Sequence, residues 1–265
     1  MKGRTIVLDH IGEIEAAAYL VDGKLDDILI DDLDAPRPGA IYRGICDRPI
    51  KGQGGMMLRL PEGEAAFLRH GKGLSPGQPL LVQVTGHADG GKAVPVTDRV
   101  LFKSRYAIVT PGKPGLNISR QITDEDTRDA LLAIAHQVFD STHGLILRSS
   151  CEGADADEIA DDIEAMLTMA DTVLADAEGT TPEALTEGDG PHTVAWREWT
   201  GRADVVTEAG SFAHLGILDQ FAAIGDDMVP LGEGYMYVEP TRALVAVDVN
   251  TGNDTSPAAA LKANI

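Results

Sequence analysis

The residue best placed to do chemistry is Asp248. The run Ala243 to Val249, ALVAVDV, is apolar except for this one carboxylate. A buried carboxylate is costly unless it is paired, hydrogen-bonded or metal-bound. Asn250 follows two residues on, so both side chains share one face of a strand. Gly252 then permits a sharp exit. An acid and an amide at the end of a strand suit Mg²⁺, a hard cation that takes oxygen ligands and few protein carboxylates. An aspartate there can equally cap the following turn, and spacing alone leaves both readings open.

Positioning such residues takes a folded chain, and the composition provides for one. The 265 residues are 43% hydrophobic but only 5% aromatic, so the core is expected from Val, Ile, Leu and Ala. No apolar run approaches a membrane span, and MKGRTIVLDHIGEIE is too short in apolar residues and too acidic for a signal peptide. The expectation is a cytoplasmic protein that does not enter the membrane. Cys46 and Cys151 form no CxxC pair and read as reduced thiols.

The net charge of −20 argues against nucleic acid at first sight, but the charge is uneven. Ile122–Asp189 holds 18 acids and 2 bases, whereas Gly39–Arg105 holds 5 acids and 10 bases. A basic segment beside an acidic one is compatible with RNA on the former. The acidic segment is equally well read as a solvated face.

TIVLDH, EAAAYLV and KLDDILID read as three strands, with a hairpin turn at Asp22-Gly23. APRPG, Ala35 to Gly39, is a linker. From Gly39 to Arg105, five short strands separated by Gly and Pro suggest a small antiparallel barrel. Leu80, Val82 and Val84 share one strand face there, and Leu81, Gln83 and Thr85 the other. Thr123 is placed to cap a helix with the stripe Leu131, Ile134, Ala135, Val138. A second helix carries Ile159, Ile163, Met166, Ala170 and Val173, with Asp161, Asp162 and Glu164 on its other face. Asp176 to Pro191 reads as a loop, and SFAHLGILDQFAAIG as helical. In GEGYMYVEPTRALVAVDVNTG two strands flank a turn at Glu239-Pro240-Thr241.

That last segment resembles the ribonuclease E/G signature, in which a Thr-x-Ala-Leu-x-Ala-x-Asp-x-Asn strand precedes the catalytic helix. Other stretches agree in order: GAIYRGI, GQPLLVQVT and GGKAVPVT with the family's S1 domain, YAIVTPGKPGLNISRQI with its exit, and GLILRSSCEGADADEIADDI with its 5′ sensor. The resemblance implies an α+β multi-subdomain fold, with an S1/OB barrel inserted in a reduced RNase H-like region. The implied division is 1–38 RNase H-like strands, 39–105 S1/OB domain, 106–189 α/β 5′-sensor region, 190–207 RNase H-like remnant and 208–265 partial DNase I-like subdomain. The function implied is Mg²⁺-dependent endonucleolytic cleavage of single-stranded RNA. The alternative is a non-catalytic RNA-binding or 5′-end-sensing protein.

Residue by residue, the resemblance makes Asp248 a catalytic, metal-binding aspartate and Asn250 its supporting amide. Arg148 and Ser149 fall on the Arg-Thr pair that grips a 5′-monophosphate, where a guanidinium and a hydroxyl suit the ligand. Ile108 matches a backbone-contact position, and Ser104 stands where the family usually has Gly. Phe67 matches an RNA-stacking aromatic whose companion here is Met57 or Leu58, and Lys92 a nearby basic position; with Arg43 they are expected to line one RNA-binding face. Without the resemblance, Phe67 reads as barrel core and Arg148 as a surface charge.

Three departures follow. The family's second metal aspartate lies beyond the catalytic helix, and LKANI falls within that helix, so the catalytic site is expected to be incomplete in this chain. The Cys-Pro-x-Cys motif is missing, so self-association would lack the zinc link. The stretch from Asp189 to Thr207 is short for the RNase H-like insertion.

Overall fold

The structure is a computed structural model that describes residues 3–250 except 51, 53, 89–90, 140–141 and 232–233, and beyond them residues 251, 256 and 258. Strands β1 (Arg4–Ile11), β2 (Ile14–Val21) and β3 (Lys24–Ile30) form an antiparallel meander. Its second hairpin turns at Asp22 and Gly23, both at positive φ, as a type I′ turn requires. Val7, Ala16, Ala18 and Leu20 form its buried face.

The basic segment closes into a barrel. Strands β4 (Ile41–Ile50), β5 (Gly55–Arg59), β6 (Ala65–Leu68), β7 (Pro79–Val84) and β8 (Val94–Thr97) pair in the order β4-β5-β6-β8-β7, and β7 returns to β4. All pairings are antiparallel except β6–β8. A closed five-stranded barrel of this order is OB-like. Met56, Leu58, Ala66, Leu68, Val82, Val84, Val94 and Val96 fill it, one face of each strand, as period-2 alternation dictates.

A mixed layer follows: β9 (Phe102–Lys103), β10 (Ala107–Thr110), β11 (Gly115–Ile118), α1 (Glu125–Val138), β12 (Gly144–Leu147) and α2 (Ala156–Asp176). The strands lie in the order β11-β12-β10-β9, and both expected helical stripes pack into the layer's core. The cap of α1 is Asp124 rather than Thr123; its carboxylate accepts the Thr127 N–H at 2.8 Å. An ionised cap outcompetes a hydroxyl one residue earlier.

The expected loop after α2 contains a strand, β13 (Glu183–Thr186), which pairs antiparallel with β4. Next come α3 (Pro191–Glu198), β14 (Asp204–Val206), α4 (Ser211–His214) and α5 (Ile217–Ile224). Strand β14 adds parallel to β1, giving the order β14-β1-β2-β3. Phe212 and Ile217 pack into the core of this first sheet. Helices α4 and α5 thus pack against the N-terminal strands.

Strands β15 (Met228–Leu231), β16 (Gly234–Pro240) and β17 (Val245–Asn250) form a separate antiparallel sheet. Among the described residues nothing covers either of its faces, and Val245, Val247, Tyr235 and Tyr237 are exposed. Cys46 and Cys151 are free and buried, and burial pushes the Cys151 thiol up to about 11. Among the described residues no helix is long and apolar enough to cross a membrane.

Candidate RNA-binding and catalytic surfaces

On the outside of the barrel, register places Arg48 opposite Met57, Met57 opposite Phe67, and Phe67 opposite Pro95. These four residues form one row across β4, β5, β6 and β8, facing away from the core. Phe67 is half-buried on the outer face, so it is not barrel core. Its companion is Met57; Leu58 points inward and is 1% exposed. Gly55 makes room for the ring: a Cβ there would lie 2.4 Å from Phe67 Cε2. Lys92 is exposed, just before β8.

Arg43 does not join this surface. It is buried, and its guanidinium donates to the carbonyls of Thr181 (2.8 Å) and Asp176 and to the Glu183 carboxylate. The expected RNA contact is therefore corrected to a structural clamp between the barrel and the segment after α2. An arginine on a β-strand has the same sequence signature whether it faces solvent or a neighbouring layer.

Arg148 follows β12 and lies in a charged knot. Its guanidinium donates to the carbonyls of Ser104 and Arg197 (3.0 Å) and to Glu198 Oε2 at 2.9 Å. Glu198 also accepts from Lys103 at 2.8 Å and Arg197 at 2.7 Å. Burial pushes the Glu198 carboxyl up, but the hydrogen bonds from Lys103 and Arg197 and the charges of Lys103 and Arg148 outweigh it and hold its pKa below the ordinary value. Arg105 stacks 3.8 Å from the Trp196 ring centroid. Ser149 begins a short 3₁₀ turn after Arg148. Ile108 lies in the adjacent strand, opposite Ile146 and Lys103. Asp162 does not simply face solvent: it accepts from the Ser104 hydroxyl and from the Tyr106 N–H at 2.9 Å, fixing the β9–β10 turn.

Asp248 and Asn250 do share one face of β17, as expected, but the carboxylate is exposed rather than buried. The apolar run reads as buried from sequence, yet among the described residues no second layer covers this sheet. Tyr237 lies opposite Asp248 and Tyr235 opposite Asn250. The two rings meet edge to face at 5.6 Å, and Asn250 Nδ2 donates to the Tyr235 hydroxyl at 3.2 Å. Neither tyrosine was singled out in the sequence, although their i, i+2 spacing in GYMYVEP was the available signal. Gly252, read as permitting a sharp exit from this strand, lies outside the described residues. No group of three or more His, Cys, Asp or Glu poised for a metal occurs among the described residues.

Residues 102–203 match the model of the Ribonuclease E/G family. The chain is 27% identical to ribonuclease E of Nostoc sp. PCC 7120, covering 71% of this chain and 32% of that protein. It is 28% identical to ribonuclease E of Synechocystis sp. PCC 6803, covering 70% and 33%. It is 26% identical to ribonuclease G of Escherichia coli K12, covering 89% and 60%. The chain thus spans about a third of the cyanobacterial proteins and three fifths of the enterobacterial one.

Proposed function

We propose that this chain is a protein of the ribonuclease E/G type, as its similarity to that family supports, and that it acts in Mg²⁺-dependent endonucleolytic cleavage of single-stranded RNA. The observation that carries this reading is the outer row Arg48–Met57–Phe67–Pro95 on a closed OB-like barrel. An aromatic ring beside a flexible thioether and a proline, with a guanidinium at the end of the row, can stack a base and meet its phosphate. A duplex hides its base faces, so such a row selects unpaired strands.

The donors on β17 fit a hard cation: a carboxylate and an amide at i and i+2, both on oxygen-bearing side chains. A bound Mg²⁺ would lower the pKa of its water and neutralise charge on the scissile phosphate. Asp248 would anchor the ion from the open face. Asn250 would be held by the Tyr235 hydroxyl and orient the phosphate beside it. Arg148 and Ser149 would receive a 5′-monophosphate. The support is that the Arg148 guanidinium already faces an anion, the Glu198 carboxylate, which a phosphate could replace.

The test is cleavage and binding of a labelled single-stranded RNA with and without Mg²⁺. The unaltered chain should bind at low salt, and Phe67→Ala should weaken binding about tenfold or more, the scale of one lost stacking contact. Equal affinity for double- and single-stranded RNA would sink the reading. A non-catalytic RNA-binding role is the second reading. It is favoured by the exposure of Asp248, because one solvated carboxylate holds a hydrated cation loosely.

A further inference from the structure

Strands β6 and β8 run parallel, so their C-terminal ends open at the same end of the barrel. Between them lies a cavity of about 310 Å³ lined by Leu68, Arg69, His70, Val96, Thr97, Asp98 and Arg99. Alternation places Arg69 on the same side as Phe67, two residues on, and Thr97 on the same side as Pro95. The cavity therefore continues the outer row along the strands. Leu68 and Val96 form its buried floor, while Arg69, His70, Asp98 and Arg99 are exposed at its rim.

Its charge state sets it apart. Arg43, Lys103, Arg105 and Arg148 are all spent on carboxylates or carbonyls of this chain. Among the described residues, the guanidinium groups of Arg69 and Arg99 form neither an ion pair nor a hydrogen bond. In a chain of net charge −20, two such groups flanking one cavity, with Asp98 the one acid among its lining residues, mark a local anion-attracting site. Thr97 adds a hydroxyl, which accepts from the Arg99 N–H at 3.1 Å and so can turn its own proton outward.

We propose that this cavity is a backbone-phosphate subsite for single-stranded RNA, with Arg69 and Arg99 holding the phosphodiester next to the base stacked on Phe67. The proposal rests on the RNA-binding reading above. It adds a division of labour: the row holds the base, and the cavity fixes the register of the strand through its phosphate. Residues two apart on a strand are separated by roughly 6–7 Å, a distance that one nucleotide can bridge.

The experiment is fluorescence anisotropy of a labelled single-stranded RNA over a salt series. It compares the unaltered chain, Arg69→Gln/Arg99→Gln, Phe67→Ala, and the control Lys24→Gln/Lys113→Gln, which removes two exposed charges elsewhere. For single strands each phosphate contact contributes about 0.7 to the slope of log K against log salt. The arginine double variant should lose roughly 1.4 in slope, twice that single-contact value. Phe67→Ala should lose affinity with its slope intact, and the control should leave the slope nearly unchanged. Competition by inorganic phosphate in place of RNA separates a general anion site from one that needs the stacked base; the proposal expects weak competition. A slope loss in the arginine variant no larger than the control's, with Phe67→Ala still weakening binding, overturns the subsite alone. No binding by the unaltered chain at low salt overturns the RNA reading and the subsite with it. The altered arginines and lysines are exposed and Phe67 faces away from the barrel core, so unchanged circular dichroism is expected throughout.

Discussion

Glu198 accepts a 2.9 Å hydrogen bond from the guanidinium of Arg148, the residue whose motif suggests phosphate binding. A carboxylate thus sits where a 5′-phosphate would have to sit, held also by Lys103 and Arg197. Replacing Glu198 with Gln keeps the size and removes the competing charge. The preference for 5′-monophosphorylated over 5′-hydroxyl RNA should then rise roughly fivefold, the effect of about 1 kcal/mol of lost competition. Arg148→Ala should erase the preference. Competition binding with the two RNAs reads both, and a preference unchanged by either substitution removes Arg148 from phosphate recognition.

Arg43 bridges the barrel to the segment after α2 through two carbonyls and Glu183. Arg43→Ala removes a buried side chain that ties three exposed residues of that segment to the barrel, at a cost of roughly 1–3 kcal/mol. Denaturant unfolding should show a lower midpoint, first in the signal of the α2 layer. RNA affinity at permissive temperature should change little, and its salt slope not at all. A reduced slope with unchanged stability would return Arg43 to the RNA-binding face.

Asp31, at the end of the first meander, takes both Arg37 Nε (2.8 Å) and Nη2 (2.6 Å). The Arg37 hydrogen bonds hold its carboxyl below the usual range, despite burial. A depressed folded-state pKa contributes stability above the unfolded value, about 3.9, that is lost as pH falls through the lower folded value. The thermal midpoint should therefore fall as pH drops below about 4. Asp31→Asn should lower the midpoint at pH 7 and flatten that acid limb. An identical pH profile in the variant would show that the pair is not a stability determinant.

What was legible in the sequence is what strand alternation and turn residues encode locally. Val82 and Val84 read as sharing one strand face, and Asp22-Gly23 read as a turn, because both depend on immediate neighbours. Strand β13 was hidden, since EALT lies in an acidic stretch and becomes a strand only by pairing with β4. Helix α3 was missed although Pro191 at its start is a helix-initiating signal. At the candidate sites, Arg43 and Asp248 failed in opposite directions. One exposed-looking charge is buried by a distant segment, and one buried-looking charge stands on an uncovered sheet. Burial on a strand depends on what packs above it, which no local pattern records. Phe67 was legible to the level of two readings, of which register excludes the barrel core.

The last prediction concerns Asp248. Its carboxylate lies on the open face of β17, opposite Tyr237 and two residues from Asn250. One carboxylate and an amide leave most of a Mg²⁺ shell to water, so the metal alone should bind weakly. RNA phosphate oxygens can replace some of that water, which makes metal and RNA binding mutually reinforcing. Mg²⁺ should thus raise RNA affinity, RNA should raise Mg²⁺ affinity by the same factor, and any cleavage should be slow but Mg²⁺-dependent. Asp248→Asn should abolish both the coupling and the cleavage. Asn250→Ala should reduce them about 10- to 100-fold, the range for a residue that orients a metal site. Tyr235→Phe removes only the hydroxyl that holds Asn250 and should cost less than Asn250→Ala. Mg²⁺ titrations with and without one labelled RNA, followed on a denaturing gel, test all three variants. Mg²⁺-dependent cleavage that survives Asp248→Asn would place the metal on other residues.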